Sequence, residues 1–262
     1  MKQEKIKNEL KVKDETLVKL KINLEEDNFE ELQLLLNELH NADIAEIIKE
    51  LDSELRVILI KQIKNIFDPE ILTYLSESLR EEIINLLDIK KLAANAKALD
   101  TDDALDLVED LEETDQSTFL ENINESERKF IEEGLNYPED TAGRLMQRQF
   151  VALDSSLNVG EAIDFLRSNK DNLPEDFYEI YLVNNLKNIL GIVPLGRLMG
   201  SKRQIKLKNI KNKKTRSVNV NMDQEEVAFL FNKYGLVSVP VLDDSNTLIG
   251  TITVDDVVSV IE

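Results

Sequence analysis

The chain has 262 residues, 42% apolar and 32% charged, with 52 acids against 32 bases for a net charge of −20, no cysteine and one histidine. Disulfides and thiolate metal sites are excluded, a zinc or iron centre built on imidazoles is disfavoured, and nucleic acid or an anionic membrane is a poor partner for so acidic a chain. Hard, oxygen-liking cations or basic partners fit better, although acidity also serves solubility alone, and with no apolar run near ~18 residues and no secretory leader a soluble two-domain chain is expected.

In chain order, residues 1–23 are polar and lysine-rich with weak helical periodicity, and read as a frayed helix or arm. From Leu24 to Leu135 a unit recurs in which a capping residue precedes a short run carrying Leu and Ile at i, i+3 and i+4. Examples are Asn41–Leu51, Asp52–Ile60, Asp68–Leu75, Glu77–Leu87 and Asp102–Leu111. Pro69 falls at a first helical position, where its fixed φ and missing N–H cost nothing. Helices of two or three turns are not stable alone, so residues 24–136 are expected to stack as an all-α superhelix.

The most acidic of these runs is Asp100–Asp115. Thr101 reads as its N-cap, and Ala104, Leu105, Leu107, Val108 and Leu111 form an inward stripe. Asp102 and Asp106 then share one face as like charges, an arrangement that costs roughly 0.2–0.5 kcal/mol in an isolated helix. Two readings stand at this point: a solvated helix face with helpful N-terminal charge, or half of a cation site. From Asp100 to Asp140 there are sixteen acids and two bases, Arg128 and Lys129, more than solubility requires.

Near residue 136 the pattern changes. Asn136–Gly143 carries Pro and Gly breakers, and Arg144–Leu153 leads into strand-like alternation. A helix over Asn158–Arg167, strands over Tyr178–Val183 and Asn184–Val193 and a short helix at Leu195–Met199 follow. The same order returns as Ser217–Val220, Asp223–Lys233, Val237–Leu242, Asp243–Thr253 and Val254–Ile261, so the second half is a tandem β-α-β-β-α repeat.

Here the residues resemble known families. Val239–Asp256 is similar to the second motif of a tandem cystathionine-β-synthase (CBS) pair, and Tyr181–Val193 is a weaker version of it. The junction Tyr137-Pro-Glu-Asp-Thr-Ala-Gly-Arg-Leu-Met146 resembles the signature of the MgtE family of magnesium transporters, as do Asp223–Ala228 and Thr253–Val258. The resemblance spans about residues 24–262. It implies an α plus α/β architecture: an arm (1–23), an MgtE N-like helical domain (24–136) and CBS domains at 137–200 and 201–262.

The resemblance further implies a Mg²⁺-sensing cytosolic regulatory region that is not an enzyme. The chain would dimerise through its CBS domains on the cytoplasmic face of the membrane, its pore domain lying outside this sequence. Mg²⁺ bridging acidic residues of the two halves would favour a compact, pore-closing state. Matched residue by residue, the metal-facing carboxylates are Asp102, Asp106 and Asp256, with Asp223 and Glu225 as further ligands and Glu70 by register only. Where family members often carry acids, this chain has Gly235 and Ser259. The physics is consistent: carboxylates ~6 Å apart repel by roughly 3 kcal/mol at an effective dielectric of 20, and Mg²⁺ needs only one or two carboxylates while keeping several waters.

Other readings remain. CBS pairs that bind adenine nucleotides commonly hold ribose with Thr/Ser-x-x-Asp, which Thr253 and Asp256 match, so ATP is a second candidate ligand; Pro194–Arg197 in the first repeat lacks both groups. Ser201–Arg216 holds eight bases and no acid, but without interleaved aromatics it reads as a solvated connection rather than a nucleic-acid patch. His40 reads as a helix-face residue. There is no phosphate loop or nucleophile motif, so catalysis is not expected.

Overall fold

A computed structural model describes residues 15–96, 99–174 and 177–261, and most of the 1–23 arm lies outside them. The chain forms two compact units. One takes in the described residues up to Leu99 together with Asp106–Arg128; the other takes in Asp100–Leu105 and the described residues from Lys129 onward.

The first unit is all helix. It comprises α1 (15–25), α2 (Phe29–Asn37), α3 (Asn41–Glu50), α4 (Ser53–Ile63), α5 (Glu70–Thr73), α6 (Glu77–Ile84) and α7 (Ile89–Asn95). With them belong the latter part of α8 (Thr101–Glu109), α9 (Glu113–Asn122) and the start of α10 (Glu125–Gly134). Side chains at the N-caps start several of these short helices: Asn28 accepts from the Glu31 N–H, Asp52 from Leu55, and Asp88 from Lys90 and Lys91, each satisfying amides that a helix start leaves without partners. His40 does the same work, its Nδ1 accepting from Ala42 N–H at 3.2 Å, so it is the N-cap of α3 rather than a helix-face residue. Arg56 of α4 donates to the carbonyls of Ile48 (3.1 Å) and Leu51 (2.8 Å) at the end of α3 and pairs with Glu82 of α6 at 2.6 Å. One guanidinium therefore closes one helix and ties it to two others.

The second unit contains two three-stranded sheets of the same design. β1 (Ala152–Asp154) runs parallel to β2 (Glu179–Val183), which pairs antiparallel with β3 (Ile189–Pro194). β4 (Val218–Asn219), β5 (Ser238–Leu242) and β6 (Leu248–Thr253) repeat that order. The helices are α11 (Ala142–Leu145), α12 (Val159–Ser168), α13 (Leu195–Met199), α14 (Gln224–Tyr234) and α15 (Val254–Ile261). Each repeat has its own core, and Tyr181, Ile192, Leu242 and Leu248 join the two sheets through a third cluster.

Each repeat also borrows the segment that precedes the other. Ala142 and Met146 lie in the core of the second repeat, while Leu207 lies in that of the first, with Ile205 and Ile210 against it. The expected strand over Arg144–Leu153 therefore shrinks to β1. Upstream of it the Ala142 and Gly143 amides donate to the Met222 and Val220 carbonyls at 2.7 and 2.8 Å, which fixes a helical turn on the second repeat instead. The MgtE-like signature is the machinery of this hand-over. A Cβ on Gly143 would meet the Tyr137 ring at 2.6 Å and Val220 at 2.9 Å, Arg144 Nε donates to the Tyr137 carbonyl at 2.9 Å, and Asp140 accepts from the Gln224 side chain at 2.7 Å. The basic stretch is partly tied down as well: Arg203 pairs with Asp164 at 2.6 Å, Lys206 donates to the Ser156 carbonyl, and Arg216 lies 3.5 Å from the centroid of the Tyr234 ring.

Candidate functional site

Helix α8 brings the first carboxylate. Its apolar stripe is buried as the spacing predicts: Ala104, Leu105, Leu107, Val108 and Leu111 are all in the core. The first intrahelical bond runs from the Ala104 N–H to the Asp100 carbonyl, so Asp100 rather than Thr101 occupies the N-cap position, and the Thr101 hydroxyl accepts from the Arg148 N–H at 3.4 Å. Asp102, one position further in, is half-buried, and its Oδ1 is enclosed without a hydrogen-bond partner.

Helix α15 brings the second. Asp256 is its third residue and reaches back to the helix start, where Oδ2 accepts from the Thr253 N–H at 2.7 Å and from the Thr253 hydroxyl at 2.9 Å. This is the acidic half of a capping box. Its Oδ1 accepts from Gln147 Nε2 at 2.8 Å. Asp102 and Asp256, 154 positions apart in sequence (256 − 102), belong to the same compact unit and interact electrostatically. Burial first, then the charges of Asp256, Asp103 and Asp100, holds the Asp102 carboxyl well above the usual carboxylate range. Burial likewise pushes Asp256 up to about 6, against the Thr253 and Gln147 hydrogen bonds that favour its charge. Two carboxylates whose charges repel, both raised by burial and one with an enclosed, unpartnered oxygen, form an arrangement that a cation relieves. The pair fits Mg²⁺, which takes one or two carboxylates and fills its remaining positions with water.

The other expected ligands lie elsewhere. Asp106 is exposed, since four positions along α8 carry it off the enclosed end that Asp102 occupies. Asp223 is the exposed N-cap of α14, accepting from Glu225 N–H at 2.8 Å, and Glu225 is exposed beside it. Glu70 spends its two oxygens on Asn41 (2.8 Å) and the Tyr74 hydroxyl (3.0 Å). Among the described residues no three His, Asp or Glu side chains group closely enough to enclose a metal ion. Gly235 adopts φ +58° as the C-cap of α14, a conformation that disfavours a side chain, so the missing acid there has a backbone reason. Sequence reasoning missed Gln147. Its signal was its place just after Met146, which the second repeat's core holds, but a lone glutamine carries no motif.

A narrow cleft of about 30 Å³ opens in the second unit, lined among others by Phe177, Tyr178, Glu179, Tyr181, Ser238 and Thr253. Aromatic rings and hydroxyls suit a nucleoside. No lysine or arginine lines the cleft to meet phosphates, and its one acid, Glu179, has its carboxyl raised by burial while accepting from Ser238 at 2.9 Å. Thr253 and Asp256, the expected ribose-binding pair, are bonded to each other.

This combination, a domain of short helices followed by two interlocked β-α-β-β-α repeats, defines a tandem CBS protein with a helical N-terminal domain. The family described as the MgtE intracellular N domain matches residues 39–140, and the CBS domain family matches residues 207–262. Magnesium transporter MgtE of Bacillus subtilis is 26% identical over 248 residues and that of Thermus thermophilus 29% over 254. Those alignments take in 95% and 96% of this chain but 55% and 56% of the relatives, so the chain spans about half their length. Among solved structures, the soluble part of a magnesium transporter superposes with a TM-score of 0.80 at 26% identity, covering 95% of this chain and 98% of that one. The cytosolic domain of the Mg²⁺ channel MgtE in complex with ATP gives 0.83 at 28% identity, covering 93% and 99%. Over this span the chain is similar to the soluble, cytosolic part of MgtE magnesium transporters.

Proposed function

We propose that the chain is the Mg²⁺-responsive regulatory region of a magnesium transporter and not an enzyme. The observation that carries this reading is the Asp102–Asp256 pair, with its unpartnered Oδ1 and mutual repulsion. Asp102 and Asp256 would hold the ion; bound there, Mg²⁺ supplies the positive charge that lets both carboxylates ionise side by side. The start of α8 is then fastened to α15. In the full protein, on the cytoplasmic face of the membrane, this compact form favours a closed pore, and loss of Mg²⁺ frees it. Asp106, Asp223 and Glu225 serve at most as weaker, outer ligands through bound water. Several weak sites add their differential binding energies, which suits an abundant ion. Exposed apolar side chains on the CBS helices, among them Phe229 of α14 and Val258 of α15, support pairing of two copies through these domains.

The test is a MgCl₂ titration of the whole chain followed by limited proteolysis and small-angle scattering. Protection and compaction in the millimolar range, weakened by Asp102→Ala and by Asp256→Ala, is the expected result. An unchanged digestion pattern and radius at all concentrations would sink the reading. A second reading, an adenine-nucleotide-binding CBS module, is favoured by the aromatic cleft and by the ATP complex of the structural relative. Thermal stabilisation by ATP without any response to Mg²⁺ would put it first.

A further inference from the structure

We infer that Gln147 is a positioning residue for the cation site, an inference that rests on the Mg²⁺ reading above. Its backbone is stapled to β6 in both directions, the Gln147 N–H donating to the Thr251 carbonyl at 2.7 Å and the Thr251 N–H to the Gln147 carbonyl at 2.9 Å. The main chain at this point is therefore fixed, and the side chain, 8% exposed, projects its amide onto Asp256 Oδ1 at 2.8 Å. With Thr253 holding Oδ2 at 2.7 and 2.9 Å, both oxygens of Asp256 are held in place and the carboxylate plane is set.

The next residue addresses the other half. The Arg148 N–H donates to the Thr101 hydroxyl at 3.4 Å, next in sequence to Asp102, while its guanidinium donates to the Ile249 carbonyl at 2.9 Å and lies 5.8 Å from the Phe130 ring centroid. Two consecutive residues thus serve the two sides of the pair: Gln147 bonds the Asp256 carboxylate directly, and Arg148 bonds Thr101, the residue before Asp102. Neither supplies an anionic ligand. Gln147 acts on the ion through Asp256, as outer partners do when they orient a ligating group, and loss of such a partner typically lowers metal affinity about 10–100-fold.

The test compares wild type, Gln147→Ala, Gln147→Met, Asp256→Ala and Gln147→Ala/Asp256→Ala in the full chain, by MgCl₂ titration with melting in EDTA as the folding control. Gln147→Met keeps the length without the donor and stands in if the alanine variant melts early. The expected result is a Mg²⁺ midpoint raised about tenfold in the Gln147 variants, with no further change when Gln147→Ala is added to Asp256→Ala, because nothing is left to orient. A wild-type midpoint in both Gln147 variants overturns the inference, as does an equal shift with and without Asp256, which marks general destabilisation. A wild-type chain that ignores Mg²⁺ removes the sensor reading itself, and the inference with it, so the two failures are told apart by the wild-type curve.

Discussion

The Tyr181 hydroxyl of β2 lies 2.5 Å from the Thr251 hydroxyl of β6, so a buried side chain of one CBS sheet is bonded to the middle of the other. Ser238 of β5 adds a second bond at 3.1 Å and passes the chain on to Glu179 at 2.9 Å. Burial pushes the Tyr181 phenol up to about 12, so it stays a neutral donor throughout the working pH range. Tyr181→Phe keeps the ring and its edge contact with Phe150 but deletes the hydroxyl. Thr251 and Ser238 retain other partners, so the expected loss is about 1–2 kcal/mol, read by urea unfolding. Tyr181→Leu, which also removes the ring from the cluster between the sheets, should cost more.

In the first unit Arg80 Nε meets Asp110 Oδ2 at 2.7 Å, with side chains 20% and 12% exposed. Burial raises the Asp110 carboxyl, Arg80 opposes that, and Glu77, Glu81 and Glu109 raise it further. Arg80→Met therefore leaves a largely enclosed charge among acids, at an expected cost of about 3 kcal/mol near neutral pH. The loss should shrink as pH falls and Asp110 takes up a proton that the native state then binds more tightly than the unfolded chain. Denaturation of Arg80→Met at pH 7.5 and pH 5 checks both sign and size; adding Asp110→Asn should recover most of the loss at the higher pH.

Much of this architecture was legible in the sequence because periodicity and repetition are local. The α8 stripe, the two β-α-β-β-α units and the short capped helices all follow from spacing. What spacing could not supply is which neighbour a segment chooses. Arg144–Leu153 alternates like a strand, yet Ala142 and Met146 pack in the second repeat's core and the strand is confined to Ala152–Asp154. The same limit applies at the site. Asp102 and Asp106 share one face of the helix, but tertiary packing encloses the first and leaves the second exposed. Thr253 and Asp256 match a ribose-binding pattern and are equally a helix cap, a choice that only the Thr253–Asp256 bonds reveal.

The signature glycine provides a test of the hand-over between repeats. Gly143→Ala would place a methyl 2.6 Å from Tyr137 Cγ and 2.9 Å from Val220 Cγ2, closer than carbon atoms tolerate, in a segment whose amides are fixed on the second repeat. Overpacking of this kind costs about 1–3 kcal/mol. Thermal melting should show that loss, and Gly143→Ala/Val220→Ala should recover part of it by opening one side of the clash. An unchanged melting temperature for Gly143→Ala would mean that the turn carrying the signature moves freely.

The pH dependence of Mg²⁺-free protein follows from the same carboxylates that Mg²⁺ would neutralise. Asp256, pushed up to about 6, and Asp102, also raised from 3.8, hold protons in the native state that the unfolded chain has already released. Asp256 makes the native state bind more protons between about pH 4 and 6, and Asp102 adds in the same direction, so stability in EDTA falls as pH rises through that window. Surface Asp154 and Asp164, lowered by hydrogen bonds from Ser156 and Arg203, act in the opposite sense at lower pH, so the comparison is made against Asp102→Asn. That variant removes the like charge and should gain about 1 kcal/mol over wild type at pH 7.5 in EDTA, a gain that vanishes near pH 4. In saturating MgCl₂ the order should reverse, because wild type then keeps the carboxylate the cation needs. Melting curves at pH 4, 6 and 7.5 with EDTA and with MgCl₂ decide it: a variant no more stable than wild type at pH 7.5 in EDTA would show that Asp102 and Asp256 do not repel.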